Sequence, residues 1–269
     1  MGRQLRAFIL IAIKGGVRDR VFHAILAVGL LLLLSTPAVA VFSMRQVLAL
    51  AVSYSLSVIG LLGLLLTLFL SMAVVARDIE RRSIYTVCSL PLSRSVYLLG
   101  RFSGFGVLLL LALTILGLCA SCALYLLAIY YPSTPGFSLG KFILALWFQY
   151  WVLLITGGVT LFFSVFATST FLPLALSVGI YFASFSTEAV KFYIESSIGV
   201  TRMSPVIKWL SKFAYWILPN FAAFDLQPHA IYDLPLMAKS LLLTQVYGMG
   251  YLGVLLAFAA MAFKRREFL

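Results

Sequence analysis

Apolar residues run along the chain in six long stretches, near 21–42, 49–76, 102–131, 141–166, 170–187 and 239–263, with polar segments between them. Each stretch approaches or exceeds the ~20 residues that carry a helix across ~30 Å of hydrocarbon. The stretches lack the short alternating pattern of membrane-barrel strands. In lipid only a helix satisfies its own backbone groups, so the pattern predicts six transmembrane helices. The second and third stretches are longer than a crossing needs, which predicts tilt or protrusion. Ser53, Ser55, Ser57, Gly60 and Gly63 in the second are small residues that let helices approach closely, with a transport path as their second reading.

The polar segments carry their own periodicity. Residues 3–20 set Leu5, Phe8, Ile9, Ala12 and Ile13 at helical spacing beside Arg3, Arg6, Lys14, Arg18 and Arg20. This describes a basic amphipathic helix lying in the membrane interface, ending near Gly15-Gly16. The same basic residues also serve as positive flanks of the first span, and the sequence leaves both readings open. Between the second and third runs, the spacing of Ile79, Arg82 and Tyr85-Thr86 predicts a short amphipathic helix over 78–89 ended by Pro91, with a solvated loop as the other reading, and Ser93 is placed to cap the helix that resumes into the third span. In the long segment 188–238, Glu188, Lys191 and Glu195 stand three and four apart, suiting a helix with paired charges. Ser204-Pro205 then starts a second helix bearing Val206, Trp209, Leu210, Phe213, Trp216 and Ile217 as an apolar face, stopped by Pro219. Its tryptophans favour an interfacial or re-entrant position over a free domain. No fixed-period repeat and no second domain are visible, so residues 1–269 read as one membrane domain.

Composition agrees with the pattern: 63% of the 269 residues are hydrophobic and 10% are charged, far more apolar surface than a soluble core of this size can bury. The net charge of +12 raises nucleic acid as a partner, but most basic residues lie at the ends of apolar runs, where topology explains them. With the N-terminus inside, segments 1–20, 77–101 and 264–269 hold thirteen of the twenty Lys and Arg. The remaining seven are Arg45, Lys141, Lys191, Arg202, Lys208, Lys212 and Lys239. The positive-inside rule therefore assigns both termini and the 77–101 connector to the cytoplasm. The basic start, the run from Val21 to Leu34 and Ala38-Val39-Ala40 together imitate a signal peptide; the expectation is that this segment is retained as the first span.

Candidate chemistry is sparse. No G-x-x-x-x-G-K-[ST] loop is present to cradle a nucleotide phosphate, so the chain is not its own P-loop ATPase. Cys119-x-x-Cys122 lies within the third apolar run with no His or third Cys beside it, which favours close packing over metal or redox chemistry. His23 and His229 are too far apart in sequence to suggest a shared site. The central spans carry no ionisable residue of the kind that marks a proton or ion pathway, although a sodium site built from carbonyls remains compatible. Neither a Ser/His/Asp set nor a carboxylate pair suggests an enzyme.

The connector carries the most specific pattern: Glu80-Arg81-Arg82-Ser83-Ile84-Tyr85-Thr86, then Pro91-Leu92-Ser93-Arg94, then Leu99-Gly100-Arg101. In this the chain resembles the membrane subunits of ABC exporters of the ABC-2 class, whose hallmark after the second span is an acidic residue, a Thr-rich turn, Pro-x-Ser-Arg and Leu-Gly-Lys. It is most similar to the branch named for multicopper-enzyme maturation, which includes the permease of nitrous-oxide-reductase assembly. Leu218-Pro219-Asn220-Phe221, Phe224-Asp225 and the end from Phe263 to Phe268 resemble that branch too. Ser83 stands where the branch usually has Thr, Leu90 where it often has Lys, and Arg101 where it has Lys. There is no Met-rich or Cys/His-rich track for copper.

The resemblance implies an all-α integral membrane protein: six transmembrane helices, an amphipathic N-terminal interfacial helix, a cytoplasmic coupling helix and an outer re-entrant or interfacial segment. It implies a homodimer in a bacterial cytoplasmic membrane, docking two copies of a cytoplasmic ATPase that holds the ATP and magnesium, with no cofactor in this chain. Asp78, Glu80, Arg81, Arg82, Tyr85, Pro91 and Arg94 would form the ATPase contact, and Trp209, Trp216 and Pro219 would line or close the exit. An extracytoplasmic accessory protein is a further partner it allows. A scaffold that recruits maturation factors through residues 188–238, and a secondary carrier, are the alternatives.

Overall fold

In a computed structural model, residues 2–43, 46–72, 94–131, 137–167, 169, 171–195 and 204–265 are described. The regular elements among them are all helical: α1 (Gly2–Val17), α2 (Arg20–Leu34), α3 (Thr36–Val41), α4 (Val47–Ser71), α5 (Arg94–Tyr130), α6 (Leu139–Phe166), α7 (Phe171–Glu195), α8 (Pro205–Ile217), a 3-10 turn (Ala222–Phe224), α9 (Gln227–Ile231) and α10 (Ala238–Arg265). Six stretches are long and apolar enough to cross a membrane: Arg20–Val41, Val47–Ser71, Val96–Tyr130, Leu139–Phe166, Phe171–Ile194 and Ala238–Phe263. This is the make-up of a multi-pass membrane protein.

Burial ranks the helices. In the most apolar window of α4 and of α6, 56% and 61% of residues are buried, against 22% in α7 and in α10. So α4 and α6 are the most enclosed spans; α5 packs against α1, α2, α4, α6 and α10, while α7 rests on α6. Lipid tails are as apolar as leucine, so this arrangement is held by close packing and interhelical hydrogen bonds rather than by escape from water. Gly63 on α4 faces Leu153 on α6 at the central contact. The hydroxyls of Thr156, Thr160 and Ser164 along buried α6 each donate to the carbonyl four residues back, which satisfies them within their own helix.

The first span is broken. Pro37 has no N–H to continue the ladder, and the chain turns at Ser35 between α2 and α3. Ser35 Oγ donates to the Leu32 carbonyl at 2.7 Å and meets Tyr54 Oη of α4 at 3.1 Å. Tyr54 Oη also donates to Leu32 O, at 3.3 Å. One hydroxyl at the break and one from the neighbouring helix thereby cover a carbonyl beside it, the usual way such breaks are tolerated in lipid.

The fifth span, α7, continues past Thr187, where the rising polarity suggests an end. It runs unbroken to Glu195, carrying exposed Glu188 and Lys191 on its last turns. Isolated charges at a helix end do not interrupt its hydrogen bonding. Helix α8 starts as the sequence predicts: Ser204 is its N-cap, with Oγ accepting from Ile207 N–H at 3.4 Å and Pro205 in the first turn. It ends at Ile217, before Pro219. At the other end of the chain, α1 lies along α5 so closely that a side chain at Gly104 would meet Ala12 Cβ and stand 3.2 Å from the Ile9 carbonyl oxygen.

Candidate functional site

Two regions of the bundle gather the residues with functional content. One is a half-open chamber of about 270 Å³ between α4, α6, α7 and residues 224–227. The other is the opposite end, where α1, the start of α5 and the end of α10 meet.

The floor of the chamber is built by the segment after α8, and each of its residues is pinned. Phe221 and Phe224 are 0% and 2% exposed. Phe221 N–H donates to the Ser184 carbonyl of α7 at 3.2 Å. Asn220 N–H donates to Tyr247 Oη of α10 at 3.1 Å, and its side-chain oxygen accepts from Ala223 N–H at 3.4 Å. Phe224 packs against Phe148 and Tyr247, with centroids 6.0 and 6.2 Å away. Asp225 Oδ1 accepts from Gln227 N–H at 3.0 Å, a local turn that starts α9, and Gln227 Nε2 donates to Ser53 Oγ of α4 at 3.0 Å. These bonds tie residues 220–227 to three spans.

Each wall presents one helical face. From α4 come Ser57, Gly60, Leu61 and Leu64, at spacings of three and four; from α7 come Tyr181, Phe182 and Phe185; from α6 come Gln149 and Val152. The Gln149 carboxamide reaches across to α4, where Nε2 donates to the Leu56 carbonyl at 3.2 Å. That reach depends on Gly60, since a Cβ there would collide with the same nitrogen. The Gln149 carbonyl oxygen is buried with no hydrogen-bond partner. Among the described residues, Asp225 brings the one formal charge to the chamber lining. The arrangement offers acceptors and aromatic faces to a small polar group; among the described residues no three of His, Cys, Asp and Glu come together as a metal site.

The small-residue stripe of the second span therefore divides by role. Gly63 serves helix packing against Leu153, whereas Ser57 and Gly60 belong to the chamber. Gln149 escaped sequence reasoning, although a signal existed: Gln149 and Gln245 are the two carboxamides in the six candidate spans. Gln245 accepts from Trp147 Nε1 at 3.1 Å, which leaves Gln149 as the one with an unmatched oxygen. Asp225 was visible only as part of Phe224-Asp225, because nothing in the sequence brings residue 225 to residues 57 and 149.

Of the residues singled out at the outer segment, Pro219 is buried at the turn after α8. Trp209 and Trp216 are 66% and 84% exposed on α8 and do not line the chamber. Trp209 stacks on Phe213 with centroids 5.5 Å apart. Trp216 borders a separate hollow of about 290 Å³ with Lys191, Lys212 and Tyr215, where the Lys191 ammonium sits 5.1 Å from the Tyr215 ring centre.

At the opposite end, Asp78, Glu80, Arg81, Arg82, Tyr85 and Pro91 lie outside the described residues. Arg94 is the first residue of α5. Three residues on, Tyr97 is buried and stacks against Phe263 near the end of α10 at 6.4 Å, and Arg101 lies over the Tyr97 ring at 5.8 Å. The start of α5 is therefore packed directly against α10, while its next turns bear on α1 through Gly104. Cys119 and Cys122 are free thiols on α5.

No family model matches the chain, and no curated protein matches it.

Proposed function

We propose that this chain is the membrane subunit of an ABC-2 type ABC transporter, an exporter that works as a homodimer and is driven by a separate cytoplasmic ATPase. The observation that carries the proposal is the connector sequence, Glu80 to Thr86 followed by Pro91-Leu92-Ser93-Arg94 and Leu99-Gly100-Arg101, between the second and third of six apolar spans in a chain with no P-loop of its own. Asp78, Glu80, Arg81, Arg82 and Arg94 supply the polar contacts to the ATPase, Tyr85 anchors in its groove, and Pro91 separates the docking helix from α5. The ATPase holds ATP and magnesium.

ATP binding can shift the membrane part between states only through contacts that differ between those states. A displaced connector pushes on α5, and the packing of α5 against α1 and α10 supports this route. Helix α1 lies basic face down on the cytoplasmic surface and braces the push. On the outer side, α8 rests in the interface with Trp209 and Trp216 at headgroup level, and residues 218–231 re-enter the bundle to close the exit.

The test exchanges charges in the connector. Glu80→Arg combined with Arg82→Glu is expected to insert in the membrane at wild-type levels and to lose co-purification of the ATPase. Co-purification at the wild-type level would remove the coupling role from these residues and, with it, the basis for an ATPase-driven transporter.

A further inference from the structure

The chamber is built for a ligand of one kind. Two acceptors belong to its lining residues: the Gln149 side-chain oxygen, buried and without a hydrogen-bond partner, and the exposed Asp225 carboxylate, which accepts from Gln227 N–H and pairs with no described cation. Leaving a buried acceptor such as the Gln149 oxygen unmatched is costly, and the exposed Asp225 carboxylate keeps lone pairs for a further donor, so a ligand that brings N–H donors gains the most. The remaining lining is mainly apolar, aliphatic on the α4 and α6 side and aromatic on the α7 side and the floor. Tyr181 stands edge to face with Phe182 and Phe185, centroids 5.5 and 5.2 Å apart, and Phe224 closes the floor. Ring faces beside a single carboxylate attract a cation. An anion would meet Asp225 with no basic residue among the described lining to offset it.

The mouth differs from the interior. Leu61 and Phe182 are 60% and 62% exposed, on helix surfaces that face outward from the bundle. The enclosed volume is below that of most sites for drug-sized molecules, so it suits a head group whose tail continues past Leu61 and Phe182. We infer that the chamber binds the ammonium head of a cationic amphiphile bearing N–H donors, held by Asp225 and Gln149 against the rings of Tyr181, Phe185 and Phe224. That this ligand is the exported cargo rests on the transport function proposed above; that it binds does not.

Dodecylamine is the probe, titrated by calorimetry into the full-length chain in phosphatidylcholine nanodiscs without any ATPase. Saturable binding is expected, weakened at least tenfold by Asp225→Asn and several-fold by Gln149→Leu, and restored towards wild type by Asp225→Glu. Dodecyltrimethylammonium, which has the charge but no N–H, binds more weakly than dodecylamine, and dodecanol gives no saturable heat. Matching circular dichroism and melting curves establish that the variants fold; should Asp225→Asn fail this, Ser57→Trp, which places a bulky ring in the chamber from α4, takes its place and abolishes binding. Dodecanol equal to dodecylamine, or unchanged binding in the folded variants, overturns the inference. Phosphatidylethanolamine nanodiscs identify the source of the ammonium: a weakened dodecylamine isotherm means that the lipid head group occupies the site, an unchanged one that free amines do, and either upholds the chemistry. Because no ATPase is present, loss of binding here and loss of ATPase co-purification are separate results.

Discussion

At the scale of single residues, the polar atoms inside this bundle divide into those matched by a neighbouring helix and those left open. The Ser35, Tyr54 and Leu32 group belongs to the first kind: two hydroxyls serve one carbonyl beside the Pro37 break. Interhelical bonds of this sort contribute about 0.6 kcal/mol on average in membrane proteins. Ser35→Ala and Tyr54→Phe are each expected to lower stability by about that amount. Because they share an acceptor and touch each other, the double variant loses less than the sum; thermal melting in detergent measures all three. Pro37 announced the break in the sequence, but its partner did not announce itself, because a tyrosine within an apolar run looks the same whether its hydroxyl reaches a carbonyl or a lipid head group. Gln149 was hidden for a related reason. A lone amide in a span is either satisfied or functional, and only the position of Leu56 and the empty side of the carboxamide separate the two.

At the scale of elements, periodicity and caps revealed where helices start more reliably than polarity revealed where they stop. Ser204-Pro205 marked the first turn of α8, whereas Glu188 was taken for the end of a helix that continues to Glu195. The link between α9 and α10 was not legible at all, since it is fixed by a contact spanning more than ninety residues. There Lys141 donates to the carbonyls of Asp233 and Leu234, each at 2.8 Å, and pairs with the Asp233 carboxylate at 2.6 Å. Asp233 has φ of 53°, the left-handed region. The carboxylate is partly exposed, so the ion pair itself contributes between nothing and about 1 kcal/mol. Asp233→Gly gives up that pair and frees the backbone, while Asp233→Ala gives it up and keeps a Cβ in a conformation that costs about 1–2 kcal/mol. Asp233→Gly and wild type are therefore both expected to melt above Asp233→Ala, the first by freeing the backbone and the second by keeping the ion pair. The reverse order in a melting series would show that the turn is not held in this conformation.

At the scale of the whole molecule, the six-span plan was legible because the bilayer imposes a minimum length on every crossing helix. The chamber was not, because its walls come from four places in the sequence and packing alone decides which faces meet. On the transport proposal, Trp209→Ala combined with Trp216→Ala is expected to reduce transport in reconstituted vesicles while leaving ATPase co-purification unchanged; loss of the co-purification would put α8 at the wrong end of the molecule. The pinned floor of the chamber also has a consequence for biogenesis. Helices are threaded into the membrane in the order of synthesis, so Gln149 can close its bond to Leu56 as soon as the fourth span is inserted. Gln227 cannot reach Ser53, 174 residues behind it, until nearly the whole chain has emerged. Until then the insertion intermediate has a cleft with an amide acceptor and no carboxylate, and the segment between the fifth and sixth spans both supplies the charge and locks the spans around it.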